Sequence, residues 1–340
     1  MSKVVSFGEL LMRLSTESNE RFSQARTFNC NYGGAEFNVA AGLSGYGINS
    51  EYVTRLPENE LGENALFELR KLKVQNSNIL RGGERLGIYF LETGSGLRGS
   101  KVIYDRAYSS FSEIPKGILD WKEILKDANW FHWSGITPAI SQDAADVLKE
   151  ALVVAKEMNL TISVDLNYRS KLWNYGKHPS EVMPELLQYC SVMLGDLDTA
   201  CFMLGKEKLD PDYTKPETLS SHYGQLFKYC PGLEFAATTL RYSINASHQK
   251  IGGVLYDGST VFLSNLIEVS PVVDRIGSGD AFMAGLIYSL LKEEKQMQDK
   301  LDFAVSACCL KHSIKGDYNL ATVAEIEDLA SGNSSAKVSR

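Results

Sequence analysis

Strand-like and helix-like segments alternate along most of this chain, and that alternation restricts the folds open to it. Trp130–Ser134 and Thr161–Leu166 are apolar runs of strand length, and the helix-like segment Ser141–Met158 separates them. Together they form a βαβ unit, in which two parallel strands are joined by a helix that covers one face. The pattern therefore predicts an α/β fold, three layers deep, with a mainly parallel sheet covered on both faces.

Similar patterns predict elements on both sides of that unit. The predicted strands are Val4–Leu11, Glu51–Leu56, Ser191–Leu194, Glu234–Leu240, Gly252–Tyr256 and Val261–Leu266, and the predicted helices are Asn38–Gly47, Leu61–Lys73, Gly279–Glu293 and Asp299–Ser313. We expect one domain over residues 1–330 and a disordered polar tail over 331–340.

Residues 86–107 do not follow the alternation. They read as two strands around a Gly-rich turn, Thr93–Ser100, with no helix between them. Because a lone two-stranded ribbon is only marginally stable, we expect it to join the start of the chain in a small second sheet. Residues of about 9–35 and 86–112 would then form a β lid beside the main domain.

Composition excludes several classes of protein. The 340 residues are 44% hydrophobic and carry a net charge of -7, without a basic run, so nucleic acid and acidic membrane surfaces are poor partners. No apolar run reaches the length of about 18 residues that a membrane span needs, and no signal peptide is visible at Met1. The six cysteines lack CxxC spacing and the five histidines lack zinc spacing, which favours a cytoplasmic protein with reduced thiols and no zinc.

The segment Asp274–Asp280 carries the clearest chemical signal. Two carboxylates bracket a turn of small residues, and a helical pattern follows. The backbone N–H groups of Gly277, Ser278 and Gly279 would point at one spot and form a seat for anionic oxygens, with Asp280 beside it. Phosphoryl transfer needs this pairing of donors with a carboxylate that takes the acceptor's proton. The plainer alternative is a loop with an N-cap aspartate.

A second glycine motif does not support nucleotide binding. Gly94–Gly99 matches GxGxxG and nearly matches a Walker A loop, but both motifs require a helix to follow. Val102-Ile103-Tyr104 follows instead and reads as a strand, so this segment is interpreted as a turn.

Near the other end of the chain, Gly33–Ala40 places two glycines and Asn38 at the head of a small-residue helix. Glycines allow close backbone approach to a ligand, and Asn38 offers a donor and an acceptor to a sugar hydroxyl. With Asp274–Asp280, roughly 240 residues later, this pair resembles the two signatures of the ribokinase-like (PfkB) sugar kinase family. Within that family the chain is most similar to the 2-keto-3-deoxygluconate kinases, as the strings Phe7–Leu14, Tyr104–Ala107, Val164–Arg169 and Leu310–Ser313 indicate.

The resemblance implies ATP-dependent phosphorylation of a small sugar acid at its C6 hydroxyl, with Asp280 as base. Arg106 and Arg169 would hold the substrate carboxylate, because a guanidinium suits it. The other substrate-binding residues would be Glu9, Gly33, Gly34, Asn38, Tyr89 and Tyr104, the tyrosines by donating hydroxyl hydrogen bonds. Since Asp280 lies at a helix N-terminus, we expect its pKa not to be strongly raised.

The nucleotide side follows from the same resemblance. ATP would contact Asn167, Asp196, Thr239, Arg241, Gly277, Gly279 and His312. Asp196 and Asp198 would hold Mg²⁺ indirectly, although they stand in a pattern shifted from the family's usual acidic string. Asp274 would contribute to a monovalent cation site, with potassium as the expected ion.

Three alternatives stay open at this stage. The first is a kinase of the same fold for a neutral sugar such as fructose or ribose, or for a nucleoside. The second is a catalytically inactive sugar-binding sensor, and the third is an interaction module built on the lid. We expect the exposed lid edge to mediate a homodimer or larger homo-oligomer.

Overall fold

The computed structural model describes residues 2–332. The strands are β1 Lys3–Phe7, β2 Leu11–Thr16, β3 Phe28–Gly33, β4 Asn49–Val53, β5 Arg55–Leu56, β6 Leu80–Arg81, β7 Gly87–Glu92, β8 Lys101–Asp105, β9 Trp130–Ser134, β10 Thr161–Asp165, β11 Val192–Leu194, β12 Phe235–Asn245, β13 His248–Tyr256, β14 Val261–Leu263 and β15 Ile267–Val269. The predicted tail lies outside the described residues from position 333 onward.

The helices lie between these strands. They are α1 Ala35–Gly45, α2 Glu60–Lys71, α3 Trp121–Ile124, α4 Thr137–Ile140, α5 Gln142–Glu157, α6 Pro179–Leu187, α7 Leu197–Met203, α8 Pro216–Tyr229, α9 Ser278–Leu290, α10 Met297–Lys311 and α11 Val323–Ala330. No helix in this described part of the chain combines the length and hydropathy needed to cross a bilayer.

The main sheet has nine strands in the order β14-β13-β12-β11-β10-β9-β1-β4, with β15 paired to β13. The six strands from β4 to β12 run parallel, and β13 turns back antiparallel on β12. The predicted parallel sheet is confirmed. Because parallel strands end at one edge, the segments after β1, β9, β10 and β11 meet there.

Alternate side chains of the strands enter two separate cores. Val5 belongs to a core packed against α5, α6 and α8, whereas its neighbour Val4 belongs to a core packed against α1, α9 and α10. Both residues are fully buried. This is the three-layer arrangement that apolar runs of strand length predict, since both faces of such strands need cover.

A second sheet of four strands has the order β3-β2-β7-β8. It joins the predicted ribbon to the start of the chain, so the small second sheet is confirmed. The predicted strand Val4–Leu11 is wrong in one respect, because the chain leaves the main sheet after Phe7 and enters the small sheet at Leu11. The break lies at Gly8. The Glu36 carboxylate packs so closely against Gly8 that a β-carbon at this position would clash with it.

Candidate active site

A cleft of about 790 Å³ lies between the carboxyl edge of the main sheet and the small sheet. Its walls come from the ends of β10 and β12, the turn before α9, the start of α1 and the small-sheet strands β7 and β8. Of the residues predicted for the site, the cleft wall contains Gly34, Asn38, Tyr89, Tyr104, Arg106, Asn167, Arg169, Arg241, Gly277, Ser278, Gly279 and Asp280.

Asp280 lies in the first turn of α9 and faces this cleft. Its Oδ2 accepts a hydrogen bond of 2.6 Å from the Asn38 side chain, which joins the two motifs found at opposite ends of the sequence. Burial raises the pKa of Asp280 to about 8, and the negative charge of Asp165 raises it further. The hydrogen bond from Asn38 acts in the opposite direction and lowers this pKa. The expectation of a pKa that is not strongly raised is therefore wrong, because desolvation outweighs the helix terminus.

The turn before α9 lines the cleft, and within it the Ser278 N–H donates to the Arg275 carbonyl at 3.4 Å. Gly277 is the N-cap residue, and no side chain caps the helix. Its φ of 79° lies in the left-handed region, and a β-carbon there would stand 1.6 Å from the Asp317 carbonyl oxygen. Only glycine allows the turn to lie against Asp317. The arrangement suits anionic oxygens at the helix N-terminus.

Two guanidinium groups stand beside that helix terminus. Arg241, on β12, donates from Nη2 to the Ser278 hydroxyl at 2.8 Å. Arg275 also lines the cleft, and burial together with the nearby charge of Arg241 lowers its pKa. The charges of Arg241 and Arg275 disfavour each other, although Asp274 partly offsets this at Arg275, and such a pair of cations favours a polyanionic ligand such as a phosphate chain.

Two further carboxylates stand close to Asp280. Asp165, at the end of β10, lines the cleft, and burial raises its pKa to about 6. Glu36 is fully buried and accepts hydrogen bonds from the backbone and hydroxyl of Ser134 and from Thr137. Both negative charges make Asp280 harder to ionise.

The structure corrects the role expected for Arg106. Its Nε and Nη2 both lie 2.7 Å from Glu9 Oε2, so the side of the guanidinium best shaped for a substrate carboxylate is already paired. Glu9 itself is buried behind Arg106 and also accepts from Ser109, away from the cleft wall. Arg169 lines the cleft and uses Nη1 for the neighbouring Tyr168 carbonyl at 3.0 Å, which leaves other donors of its guanidinium for a ligand.

The tyrosines and Gly33 also differ from expectation. Tyr89 lines the cleft with its ring, but its hydroxyl donates to Asp317 rather than toward a ligand. Gly33 lies behind the cleft wall, packed against Asp317. Tyr104 keeps the predicted position, with the Arg106 guanidinium 5.8 Å from its ring centre.

Three residues predicted to bind the nucleotide do not reach the cleft. His312 is completely buried, and its Nδ1 donates to the Cys308 carbonyl at 2.8 Å. Thr239 lies on β12 outside the cleft wall. Asp196 caps α7 by accepting from the backbone and hydroxyl of Thr199.

The acidic pair expected to organise Mg²⁺ has other partners. Asp198 accepts from the backbone N–H groups of Leu209 and Asp210 and lies 3.4 Å from Lys208. Neither Asp198 nor Asp196 is on the cleft wall. Within residues 2–332 no group of three or more His, Cys, Asp or Glu side chains is arranged to hold a metal.

Asp274 is not in the cleft wall but behind the turn. Its Oδ2 lies 2.8 Å from Arg13 Nη2 and accepts from the Gly316 backbone at 3.2 Å. Its backbone carbonyl accepts from Lys311 Nζ at 3.3 Å. The ligands expected for a monovalent cation are therefore already occupied by cationic side chains, and such an ion does not fit this arrangement.

Comparison with known proteins agrees with this geometry. The family model of the pfkB family carbohydrate kinases matches residues 1–228. The chain belongs to this family. It is 30% identical to a 2-dehydro-3-deoxygalactonokinase of Haloferax volcanii, with 97% of each chain covered, and 26% identical to a 2-dehydro-3-deoxygluconokinase of Thermoproteus tenax, with 97% of this chain and 94% of the relative covered.

A solved structure extends the likeness to the whole fold. The crystal structure of a 2-dehydro-3-deoxygluconokinase from Thermotoga maritima has a TM-score of 0.92 and 40% identity, and covers 98% of this chain and 100% of the other. The predicted ribokinase-like fold and kinase class are thereby confirmed. This protein is a carbohydrate kinase of the pfkB family.

Several residues of this pfkB kinase site were not predicted from the sequence. Asp165, Arg275 and Asp317 line the cleft, and Arg13 lies within 3.2 Å of Asp317 in the wall behind it. A polar residue at the end of a buried parallel strand was the available signal for Asp165. The sequence contains no comparable signal for Arg13, because a charged residue in a predicted strand is expected to face solvent. In the structure Arg13 is only 1% exposed.

Proposed function

We propose that this kinase transfers the terminal phosphoryl group of ATP to the C6 hydroxyl of a 2-keto-3-deoxy sugar acid, with 2-keto-3-deoxygluconate as the first candidate. The activities named for the related kinases described above support the substrate class. The cationic side chain of Arg169 on the cleft wall supports an acidic substrate independently of those relatives.

One observation carries the proposal. A carboxylate that faces the cleft, Asp280, stands in the first turn of a helix that no side chain caps. An acceptor hydroxyl beside Asp280 would therefore lie next to the backbone donors that attract the transferring phosphoryl group.

Each part of the cleft has a role in this scheme. Asp280, with a raised pKa, accepts the hydroxyl proton as the new bond forms. The N–H groups after Gly277 stabilise the migrating charge, and Arg241 and Arg275 neutralise the phosphates. Magnesium bound to the nucleotide adds to that neutralisation. Asn38 orients Asp280 through their 2.6 Å hydrogen bond, and Arg169 positions the substrate carboxylate.

The site of action follows from the cofactor. ATP is supplied in the cytoplasm, and all six cysteines are free thiols, five of them buried. We place the reaction in that compartment, where thiols stay reduced.

The test is a coupled ADP-release assay with purified protein over a panel of sugars and sugar acids. The panel contains 2-keto-3-deoxygluconate, 2-keto-3-deoxygalactonate, gluconate, fructose, ribose and adenosine. We expect turnover with a keto-deoxy acid that exceeds that with the neutral sugars by at least about 100-fold in kcat/KM. Equal or faster turnover of fructose or ribose would show that the substrate is a neutral sugar and not a sugar acid. Binding of a sugar without ADP release would favour a catalytically inactive sugar-binding sensor.

A further inference from the structure

A buried lysine lies directly behind the phosphate-binding turn. Lys311 is the last residue of α10 and has no exposed surface. Its Nζ donates to the backbone carbonyls of Ile314 at 2.9 Å and Asp274 at 3.3 Å. Burying an ammonium is costly unless acceptors and opposite charge surround it, so this position requires an explanation.

The charges around Lys311 balance it. Burial lowers the pKa of Lys311, whereas the carboxylates of Asp274 and Asp317 favour its charged form. Arg13 pairs with the same two carboxylates, 2.8 Å from Asp274 and 3.2 Å from Asp317, and its charge acts against the Lys311 ammonium. The cluster thus holds two cations and two anions inside the wall of the active site.

The acceptors that Lys311 uses are those of a monovalent cation site. Backbone carbonyl oxygens are ligands typical of a hard cation. A potassium ion carries the same charge as an ammonium group, and carbonyl oxygens that accept hydrogen bonds from the one can coordinate the other. Here the carbonyls point to Nζ and the Asp274 carboxylate points to Arg13 and the Gly316 backbone.

The contacts also reach the catalytic turn. Asp274 begins the segment that leads to Gly277, and the Asp274 Oδ1 accepts from the Ile276 backbone at 3.0 Å. Lys311 ties the start of that segment to the loop after α10, the loop that supplies the Asp317 carbonyl beneath Gly277.

We propose that the Lys311 ammonium is a built-in monovalent cation, a positioning residue that holds the phosphate-binding turn, so that this kinase needs no potassium. This rests on the proposed function in one respect, namely that the turn binds phosphate.

The first arm of the test uses the unaltered protein. Activity on the best substrate of the panel is measured in KCl and in choline chloride at equal ionic strength, after removal of potassium and ammonium from all reagents. The expected result is the same kcat and KM in both salts. Loss of activity in choline chloride that potassium restores would overturn the proposal.

The second arm removes the ammonium in two ways. Lys311→Ala leaves a space among the carbonyls, so we expect kcat in choline chloride to fall at least about tenfold and KCl to restore most of it. Lys311→Met removes the charge but fills the space, so its activity falls equally in both salts. Lys300→Ala is the matched control, because Lys300 is also a buried lysine on α10 and none of the contacts of the cluster described here involves it.

Thermal melting gives a readout that needs no substrate. Lys311→Ala should melt at a higher temperature in KCl than in choline chloride, while the unaltered protein, Lys311→Met and Lys300→Ala should not. Full activity of both Lys311 variants in choline chloride, or an Lys311→Ala whose rate and melting temperature ignore potassium, would overturn the proposal. If Lys311→Ala folds in neither salt, the activity of Lys311→Met is the test. Loss of that activity in both salts supports the proposal, and full activity in choline chloride overturns it.

The two proposals fail separately. If no substrate of the panel is turned over, the proposed function fails, but the potassium-dependent melting of Lys311→Ala still tests the cation site. If the panel succeeds and the melting test fails, only the role of Lys311 is lost.

Discussion

At the scale of single residues, the balance between burial and the helix terminus decides the chemistry of Asp280. Unpaired N–H groups favour a carboxylate, but Asp280 is only 8% exposed and has Asp165 and Glu36 nearby. Desolvation is the larger effect, and the pKa rises to about 8. A base with this pKa binds a proton more tightly than an ordinary aspartate, which suits it to take one from an alcohol near neutral pH.

The first prediction concerns the pH dependence of activity. Only ionised Asp280 can accept the proton, so kcat/KM for the sugar acid should rise with pH and level off above about pH 8. Steady-state rates between pH about 5 and about 9 measure this limb. A flat profile across this range would contradict the assignment of Asp280, with its pKa of about 8, as the base.

The second prediction is the effect of Asp280→Asn. We expect kcat to fall about 10²- to 10⁴-fold, the usual contribution of a general base, with substrate binding retained in calorimetry. Retained turnover would exclude Asp280 as the base. Asn38→Ala, which removes the hydrogen bond to Asp280 and the 3.4 Å contact with the Gly34 N–H but keeps the carboxylate, should cause a smaller loss.

Asp280→Asn should also change how the stability of the protein depends on pH. Because the pKa of Asp280 is raised from 3.8 to about 8 on folding, the folded protein holds a proton that the unfolded chain has lost between those values. The contribution of Asp280 to stability therefore decreases as pH rises through this window. The melting temperature of Asp280→Asn relative to the unaltered protein should increase from pH about 5 to about 8 and not decrease.

The third prediction tests the acid specificity. Arg169→Ala should raise KM for the sugar acid at least about tenfold, the cost of losing a hydrogen bond to a charged group, with a smaller effect on kcat. Arg169→Lys keeps the charge but loses the planar guanidinium group, so its KM should lie between those of the unaltered protein and Arg169→Ala. Unchanged KM in Arg169→Ala would show that another group holds the carboxylate.

At the scale of elements, the turn before α9 depends on its contact with the loop after α10. Gly277 packs on the Asp317 carbonyl, and Asp317 in turn lies 3.2 Å from Arg13 and accepts from Tyr89. The turn, β2, β7 and the loop at Asp317 therefore behave as one packed unit. The shape of this turn is held by elements far apart in the chain.

The fourth prediction follows from this contact. Gly277→Ala should lower the free energy of unfolding by more than about 2 kcal/mol, because the left-handed conformation and the clash with Asp317 both disfavour a β-carbon. Gly279→Ala is the control, since a β-carbon there meets nothing within 4 Å. Denaturant unfolding of both variants measures the difference, and equal stability would contradict the packing.

At the scale of the whole molecule, the small sheet has one face toward the cleft and one away from it. Tyr89 and Tyr104 face the cleft. On the opposite face, Phe28 is 40% exposed and stacks edge-on against Phe90, while Ile103 is 54% exposed and is paired with Phe90 across the strands. An apolar outer face of this kind supports the predicted homodimer through the lid, which stays a prediction.

The fifth prediction tests that association. Light scattering of the unaltered protein should give the mass of a dimer or larger assembly, and Ile103→Lys should shift it to the monomer because a charge cannot be buried in an apolar contact. Ser95→Lys, in the turn between β7 and β8, controls for added charge. A monomeric unaltered protein would exclude the homo-oligomer.

The sequence by itself determined the layers of this fold and predicted a candidate reactive centre. Alternating apolar strands and helices are local patterns, so the parallel sheet follows from them. Two strands predicted as continuous are interrupted, because the chain leaves the main sheet after Phe7 and again after Val53, where Arg55–Leu56 pairs with β6. Asp280 and the Gly277 turn were also recognisable locally, because a helix start carries its own donors.

Tertiary structure alone decided which charges are free to act. Arg106 is paired with Glu9, Asp274 with Arg13, and Lys311 with the Asp274 carbonyl, all through contacts between residues distant in the chain. The pKa of Asp280 likewise depends on burial beneath elements that close over it only in the folded protein. A sequence shows where charges are, but desolvation and pairing set their energies, and both are properties of three-dimensional packing.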